Sequence, residues 1–153
     1  MYGREVASPR LTAWFGDPRA AYAYSGVEHE PIAWTPTLAD LRSRVEHAAD
    51  VSFNSVLLNL YRDGMDSVAW HSDDEPELGR RPVIASLSLG AARVFQLKHK
   101  HRPDVDRVDI DLPHGSLLTM AGDCQRCWKH QIPKRRGADR PGPRINLTFR
   151  RVL

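Results

Sequence analysis

Cysteine is scarce in this 153-residue chain, which holds only Cys124 and Cys127. They form a single Cys-x-x-Cys, a spacing open to zinc binding, to redox chemistry or to no role. Without a second such pair the zinc reading is weak, and Trp128 stands where c-type haem attachment would need histidine. The pair is given no role. Long apolar runs are absent too, none approaching the ~20 residues of a membrane-spanning helix. The first ten residues carry Arg4, Glu5 and Arg10 and no apolar centre, so no signal peptide is visible. An intracellular, soluble protein is expected. Nor does charge of one sign dominate: 22 Lys and Arg face 19 Asp and Glu, a formal charge of +3. That balance is compatible with a polyanionic partner but does not require one. The length suits one domain, able to bury about two-thirds of its unfolded surface without disulfides or structural metal.

Helical signal is confined to one stretch. Residues 1–30 are rich in aromatics (Tyr2, Trp14, Phe15, Tyr22, Tyr24), and Pro9 and Pro18 argue for strands or loops there. Thr37 reads as a helix N-cap with Asp40 three residues on, and Leu38, Leu41, Val45 and Ala48 form one apolar stripe of a helix ending near Asp50. From Phe53 the period becomes two. Val56, Leu58 and Leu60 take one side of a strand and Leu57, Asn59 and Tyr61 the other, so polar groups oppose a greasy face. After a turn at Asp63-Gly64 comes the run to Trp70-His71-Ser72-Asp73-Asp74-Glu75. Strands are then expected over 83–89, 93–97, 107–112, 116–120 and 128–132, with Lys98 to Arg102 as a cationic hairpin tip and 133–143 as a basic loop. In the last strand Ile145, Leu147 and Phe149 face one way, while Arg144, Asn146, Thr148 and Arg150 face the other. Burying that second face unpaired would cost several kcal/mol per charge, so something anionic is expected against it.

One helix, seven or eight short strands and no helical crossovers favour an antiparallel double-sheet jelly roll over a parallel α/β fold. His71 and Asp73, two apart in an extended backbone, point to one side. A second histidine would complete a 2-His-1-carboxylate triad with three open coordination positions. By spacing alone His99, His101, His114 and His130 all remain candidates. Inward residues of several strands converge at the open end of a jelly roll, which would gather His71, Asp73, Asn59, Tyr61, Thr148 and two arginines. Iron in such a triad can chelate a 2-oxo acid whose distal carboxylate is held by an arginine fork.

Pro9-Arg10, Tyr22-Ala23-Tyr24-Ser25-Gly26, Asn59-Leu60-Tyr61, His71-Ser72-Asp73-Asp74-Glu75, Trp128-Lys129-His130 and the segments 84–91, 114–117 and 143–150 follow one another along nearly the whole chain. In this order they resemble the AlkB-like iron(II)- and 2-oxoglutarate-dependent dioxygenases, in the branch that includes vertebrate nuclear homologues acting on DNA. The resemblance implies an all-β core, a double-stranded β-helix (jelly roll) with flanking helices. It also implies a single domain over 1–153, with 1–30 as nucleotide-recognition region and 53–153 as jelly-roll core. His71, Asp73 and His130 match the iron ligands, His114 matches a turn position, and His99 and His101 fall in the basic tip. Asn59, Tyr61, Arg144, Thr148 and Arg150 match the 2-oxoglutarate contacts. Tyr24 matches an aromatic that sandwiches the damaged base, and Tyr22, Asp74 and Glu75 match neighbours that read its edge. Tyr2-Gly3-Arg4 matches a hairpin finger that enters the duplex, and Arg10, Lys134, Arg135 and Arg136 are the phosphate-contact candidates. The chain begins almost at this finger, without the helical segment the family usually places before it, which reads as a compact natural form or a trimmed chain.

The implied reaction is oxidative demethylation of N-alkylated bases such as 1-methyladenine and 3-methylcytosine, using Fe(II), 2-oxoglutarate and O2 and releasing formaldehyde and succinate. Such methyl groups sit on the pairing edge, so the nucleotide must leave the duplex. A wedge such as Tyr2 could fill the gap, and a cationic base would favour Asp74 or Glu75 beside Tyr24. The partner implied is alkylated DNA, with RNA, a protein side chain or a small metabolite as alternatives and a non-catalytic damaged-base-binding module as a third reading. A monomer without membrane attachment is expected, in the cytoplasm of a bacterium or the nucleus of a eukaryote.

Overall fold

The computed structural model describes residues 8–20, 22–24 and 27–153, with 22–24 and 27–29 as backbone only. The long helix α1 (Pro36–Ala49) is capped by Thr35, not Thr37 as the sequence suggests. Proline fits the first helical position because its missing N–H would have no partner there. That moves the cap one residue before Pro36, where extended Thr35 accepts the Leu38 N–H on Oγ1 at 3.1 Å. At the other end Asp50 adopts a left-handed conformation (φ 54°) and donates its N–H to the Glu46 carbonyl. Glu46 Oε2 then accepts the Phe53 N–H at 2.7 Å, turning the chain into the sheet.

Among the described residues nine strands form two antiparallel sheets. The larger orders β1 (Leu11–Gly16), β4 (Ser55–Tyr61), β11 (Arg144–Arg150), β6 (Ile84–Gly90) and β9 (Leu117–Met120); the smaller orders β5 (Val68–His71), β10 (Trp128–Ile132), β7 (Arg93–His99) and β8 (Val108–Leu112). A short hairpin, β2 (Tyr22–Tyr24) with β3 (Val27–His29), stands apart. This is the expected jelly roll. β7 runs two residues further than expected because its last residue, His99, pairs with Trp128 of β10, so Lys98 and His99 belong to a strand and not to the hairpin tip. Two short elements are unexpected among the described residues, a 3₁₀ turn over Pro76–Leu78 and a single helical turn, α2 (Cys124–Cys127), just before β10.

Two apolar layers result. Leu38 and Val45 of α1 cover the outer face of the larger sheet, packing with Phe53, Val56, Ala85, Leu147 and Phe149. Between the sheets lie Tyr61, Ile84, Phe95, Leu112, Met120 and Ile132. Middle strand β11 thus turns Leu147 and Phe149 toward the helix layer and its polar residues toward the interior. Among the described residues no helix is long and apolar enough to cross a membrane.

Phe149 is fully buried beneath α1, whereas Ile145, four residues away on the same face of the strand, is 40% exposed. Phe149→Ala is expected to cost ~3–5 kcal/mol in urea unfolding, and Ile145→Ala only about 1 kcal/mol. Equal losses would contradict the helix-covered layer.

Candidate metal centre and adjoining cleft

His71 ends β5, and His130 sits directly across from it on β10, so the two rings lie with centroids 4.2 Å apart. Asp73 follows two residues after His71. Its Oδ1 lies 3.8 Å from His71 Nε2 and its Oδ2 lies 3.6 Å from His130 Nε2, too far for hydrogen bonds. The ligand atoms of all three residues fall within 4.8 Å of one another. His71 Nδ1 lies 2.7 Å from the Ala69 carbonyl and, as its donor, leaves Nε2 a free lone pair. Burial pushes His130 down to about 4 despite Asp73, so this ring is neutral near pH 7. Burial pushes the Asp73 carboxyl up, but Arg150, at 3.1 Å, together with the two histidines more than offsets it and holds the group below the usual carboxylate range. One carboxylate and two imidazoles therefore converge with no proton shared between them, an arrangement a divalent cation satisfies. Two nitrogens and one oxygen with an open side suit iron(II).

The carboxylate is held from behind. Gln125, buried on α2, accepts the Asp73 backbone N–H on Oε1 at 2.8 Å. Ser72 donates to the Trp128 carbonyl at 2.6 Å, fastening the ligand loop to β10. Phe95 stacks on His130, with centroids 5.2 Å apart. Gln125 escapes a sequence reading because it lies between the two cysteines, which draw attention to thiol chemistry; its own signal is nil.

The centre opens on a narrow cleft of about 70 Å³. Asn59, Tyr61, Arg144, Thr148 and Arg150, read from the sequence as cosubstrate contacts, all line it together with His71, Asp73 and His130. Register explains the convergence: Arg144 lies opposite Tyr61 and Asn146 opposite Asn59. A polar ladder crosses to β6, where Arg144 Nη2 donates to Ser88 Oγ at 2.8 Å and Asn146 Nδ2 to Ser86 Oγ at 2.5 Å. Thr148 Oγ1 donates to Asn146 Oδ1 at 2.6 Å. Ser86 and Ser88, which carry the far side of this ladder, are not singled out by sequence reasoning, although serine alternating with Leu87 and Leu89 marks a polar face.

Arg144 is 1% exposed, and its Nε and Nη1 have no hydrogen-bond partner among the described residues. Its guanidinium lies 5.1 Å from the Tyr61 ring centroid, with that of Arg93 5.4 Å from the same ring. Burial lowers the Arg144 pKa and raises that of Tyr61. Arg93 is held by three carbonyls, of Asp63, Asp66 and Pro133. A buried guanidinium with two unused donors calls for an anion, and a carboxylate matches its fork.

The remaining candidates separate. His114 Nδ1 accepts the Gly90 N–H in a turn, and His99 Nδ1 accepts from the backbone of His101 and Arg102, so neither reaches the centre. Arg10 is turned inward, donating to Asn59 Oδ1 at 2.9 Å and lining the cleft, and not displayed on the outer surface. Lys134, Arg135 and Arg136 are exposed on their loop, and the Arg135 N–H is fixed to the Gly64 carbonyl at 2.6 Å. Asp74 is exposed with Lys100 at 3.6 Å, while one Glu75 oxygen is buried without a partner among the described residues. Tyr22 and Tyr24 lie on β2, paired with His29 and Val27. Tyr2, Gly3 and Arg4 lie outside the described residues.

Removing the acceptor behind Asp73 has a measurable consequence. Gln125→Leu is expected to weaken cobalt(II) binding, read from its visible spectrum, by about 10–100-fold; unchanged affinity in a folded variant would remove Gln125 from the support of the centre.

Known proteins agree with this geometry. A family profile described as the 2OG-Fe(II) oxygenase superfamily matches residues 2–150. The chain is 50% identical over 152 residues to mouse "Alpha-ketoglutarate-dependent dioxygenase alkB homolog 3", covering 94% of this chain and 52% of the relative. It is 40% identical over 159 residues to mouse "DNA oxidative demethylase ALKBH2", covering 100% of this chain and 66% of that relative. The chain thus spans about half the length of the first of these relatives. Among solved structures, OsALKBH1 shares the fold with a TM-score of 0.66 at 17% identity, over 94% of this chain and 78% of that one. With a profile match over almost all of its length and a His-Asp-His cluster suited to iron, the chain belongs to the 2OG-Fe(II) oxygenase superfamily.

Proposed function

We propose that this chain is a DNA oxidative demethylase that removes methyl groups from N-alkylated bases such as 1-methyladenine and 3-methylcytosine. The observation that carries the reading is the opening of the His71, Asp73 and His130 cluster onto the cleft that holds the unneutralised fork of Arg144. The names of the mouse relatives, a dioxygenase and a DNA oxidative demethylase, point to the same chemistry. When bound, iron(II) with 2-oxoglutarate and O2 supplies hydroxylation of the N-methyl carbon, giving succinate and carbon dioxide, after which the hydroxymethyl group leaves as formaldehyde and restores the base.

Each residue then has a task. His71, Asp73 and His130 hold the metal on one side, leaving the cleft side for cosubstrate and oxygen. Arg144 grips the distal carboxylate of the dicarboxylate, with Tyr61, Asn59 and Thr148 shaping the pocket around it. Arg150 neutralises Asp73 and faces the metal-proximal end. Tyr24 stacks on the damaged base and Tyr22, Asp74 and Glu75 read its edge, while Tyr2-Gly3-Arg4 fills the gap in the duplex. Lys134, Arg135 and Arg136 contact phosphate, with Arg10 at the mouth of the cleft. Such an enzyme acts as a monomer where the DNA lies, in the nucleus of a eukaryote or the cytoplasm of a bacterium.

The test is anaerobic loading with iron(II) and 2-oxoglutarate, then oxygen, with mass spectrometry of DNA carrying one 1-methyladenine. Loss of one methyl group with matching succinate is expected; methyl loss from RNA alone would move the substrate, and neither product would overturn the reading. Asp73→Ala should abolish succinate formation. Arg144→Lys, which keeps the charge but loses the fork, should raise the 2-oxoglutarate concentration for half-saturation about tenfold or more. Tyr24→Ala should retain part of the uncoupled succinate formation while losing repair.

A further inference from the structure

A second basin lies behind the metal-ligand loop, against α2. Its volume, about 490 Å³, falls within the ~300–1,000 Å³ typical of ligand sites. We propose that it seats the phosphodiester backbone of the nucleic-acid strand carrying the damaged base, with Arg80 and Arg126 as its phosphate contacts. The proposal rests on the nucleic-acid reading above and adds a contact separate from the Lys134 to Arg136 loop, which is tied to the turn at Gly64.

Charge is the first argument. Four ionic side chains line the basin: Asp74, Arg80, Lys100 and Arg126. Two of them cancel, since Lys100 Nζ lies 3.6 Å from Asp74 Oδ2 and also donates to the Gln125 carbonyl at 2.8 Å. Nearby Arg81 is matched by Asp123 at 3.4 Å. Arg80 and Arg126 are exposed and, among the described residues, have neither ion-pair nor hydrogen-bond partners. Two free guanidiniums over an open basin suit a chain of phosphates better than one small anion.

Shape and position supply the rest. Pro76 and Pro82 stiffen the wall, and between them the one-turn 3₁₀ helix Pro76–Leu78 ends at Gly79, whose φ of +81° a side chain would strain. The turn hands the chain directly to Arg80. Asp74, on the rim, adjoins the ligand Asp73, and Gln125, on the floor, bonds the Asp73 amide. A strand in the basin would therefore lie against the loop that carries the metal ligand, one residue along the chain from Asp73.

The test is fluorescence-anisotropy binding of the full chain to single-stranded DNA and RNA oligonucleotides carrying one 1-methyladenine, over a range of salt. Arg80→Glu with Arg126→Glu is expected to weaken binding about tenfold or more at low salt. It should also flatten the plot of log affinity against log salt by ~0.7 for each phosphate that is no longer neutralised. Both side chains are exposed, and the unfolding midpoint confirms that the double variant is folded. Arg107→Glu, whose guanidinium pairs with Asp109 at 2.9 Å on another hairpin, should change neither quantity. Weaker binding of either oligonucleotide supports the basin, and the one more strongly affected identifies the strand it serves. If wild type binds and the double variant matches it in affinity and slope, the basin is an ordinary solvated face and the demethylase reading stands. If wild type binds neither oligonucleotide, the nucleic-acid reading fails and takes this proposal with it.

Discussion

A buried carboxylate must find positive charge or give up its own, and the arrangement of this molecule follows from how Asp73 meets that demand. Its side chain takes Arg150 from the centre of the larger sheet, and its backbone takes Gln125 from α2. Those two bonds span 77 and 52 residues of sequence, so three distant segments must be in place before the carboxylate can be both ionised and fixed. His71 and His130 then face it from paired strands of the smaller sheet. The centre is a junction between sheets, which is why neither sheet alone could form it.

Strand β11 makes the junction possible by dividing its residues strictly between two environments. The outward side chains Leu147 and Phe149 are sealed by α1, while Arg144, Asn146, Thr148 and Arg150 form an interior polar face that is equally buried. Such a face is tolerable because most of it is internally satisfied, through the Ser86 and Ser88 hydroxyls and through Asp73. What is left over among the described residues, two donors of Arg144 and the Nε of Arg150, defines where an anion belongs. The satisfied part of the ladder gives rigidity; the unsatisfied part gives specificity.

Alternation and helical periodicity are legible in the sequence, and with them the jelly roll, the two faces of β4 and β11 and the half-site at His71 and Asp73. Spacing alone leaves four histidines open; family resemblance points to His130, and the strand pairing across from His71 explains it physically. The helix start is misplaced because the sequence offers two threonines around Pro36, and only proline's preference for the first helical position decides between them. Gln125 escapes because its partner, the Asp73 amide, is 52 residues away, and the alternation of Ser86 and Ser88 marks a polar face without showing that its partners lie on β11. Arg10 reads as a phosphate-contact candidate, and only its hydrogen bond to Asn59 reveals the inward turn.

The middle position of β11, with β1 and β4 on one side and β6 and β9 on the other, ties its interior polar face to the stability of the whole sheet. Its interior face holds a guanidinium that folding strips of water without supplying a counter-charge. A dicarboxylate that neutralises it binds only the folded chain, and so shifts the folding equilibrium in proportion to its own concentration. An anion bound there would be a fastening of the fold as well as an occupant of the cleft.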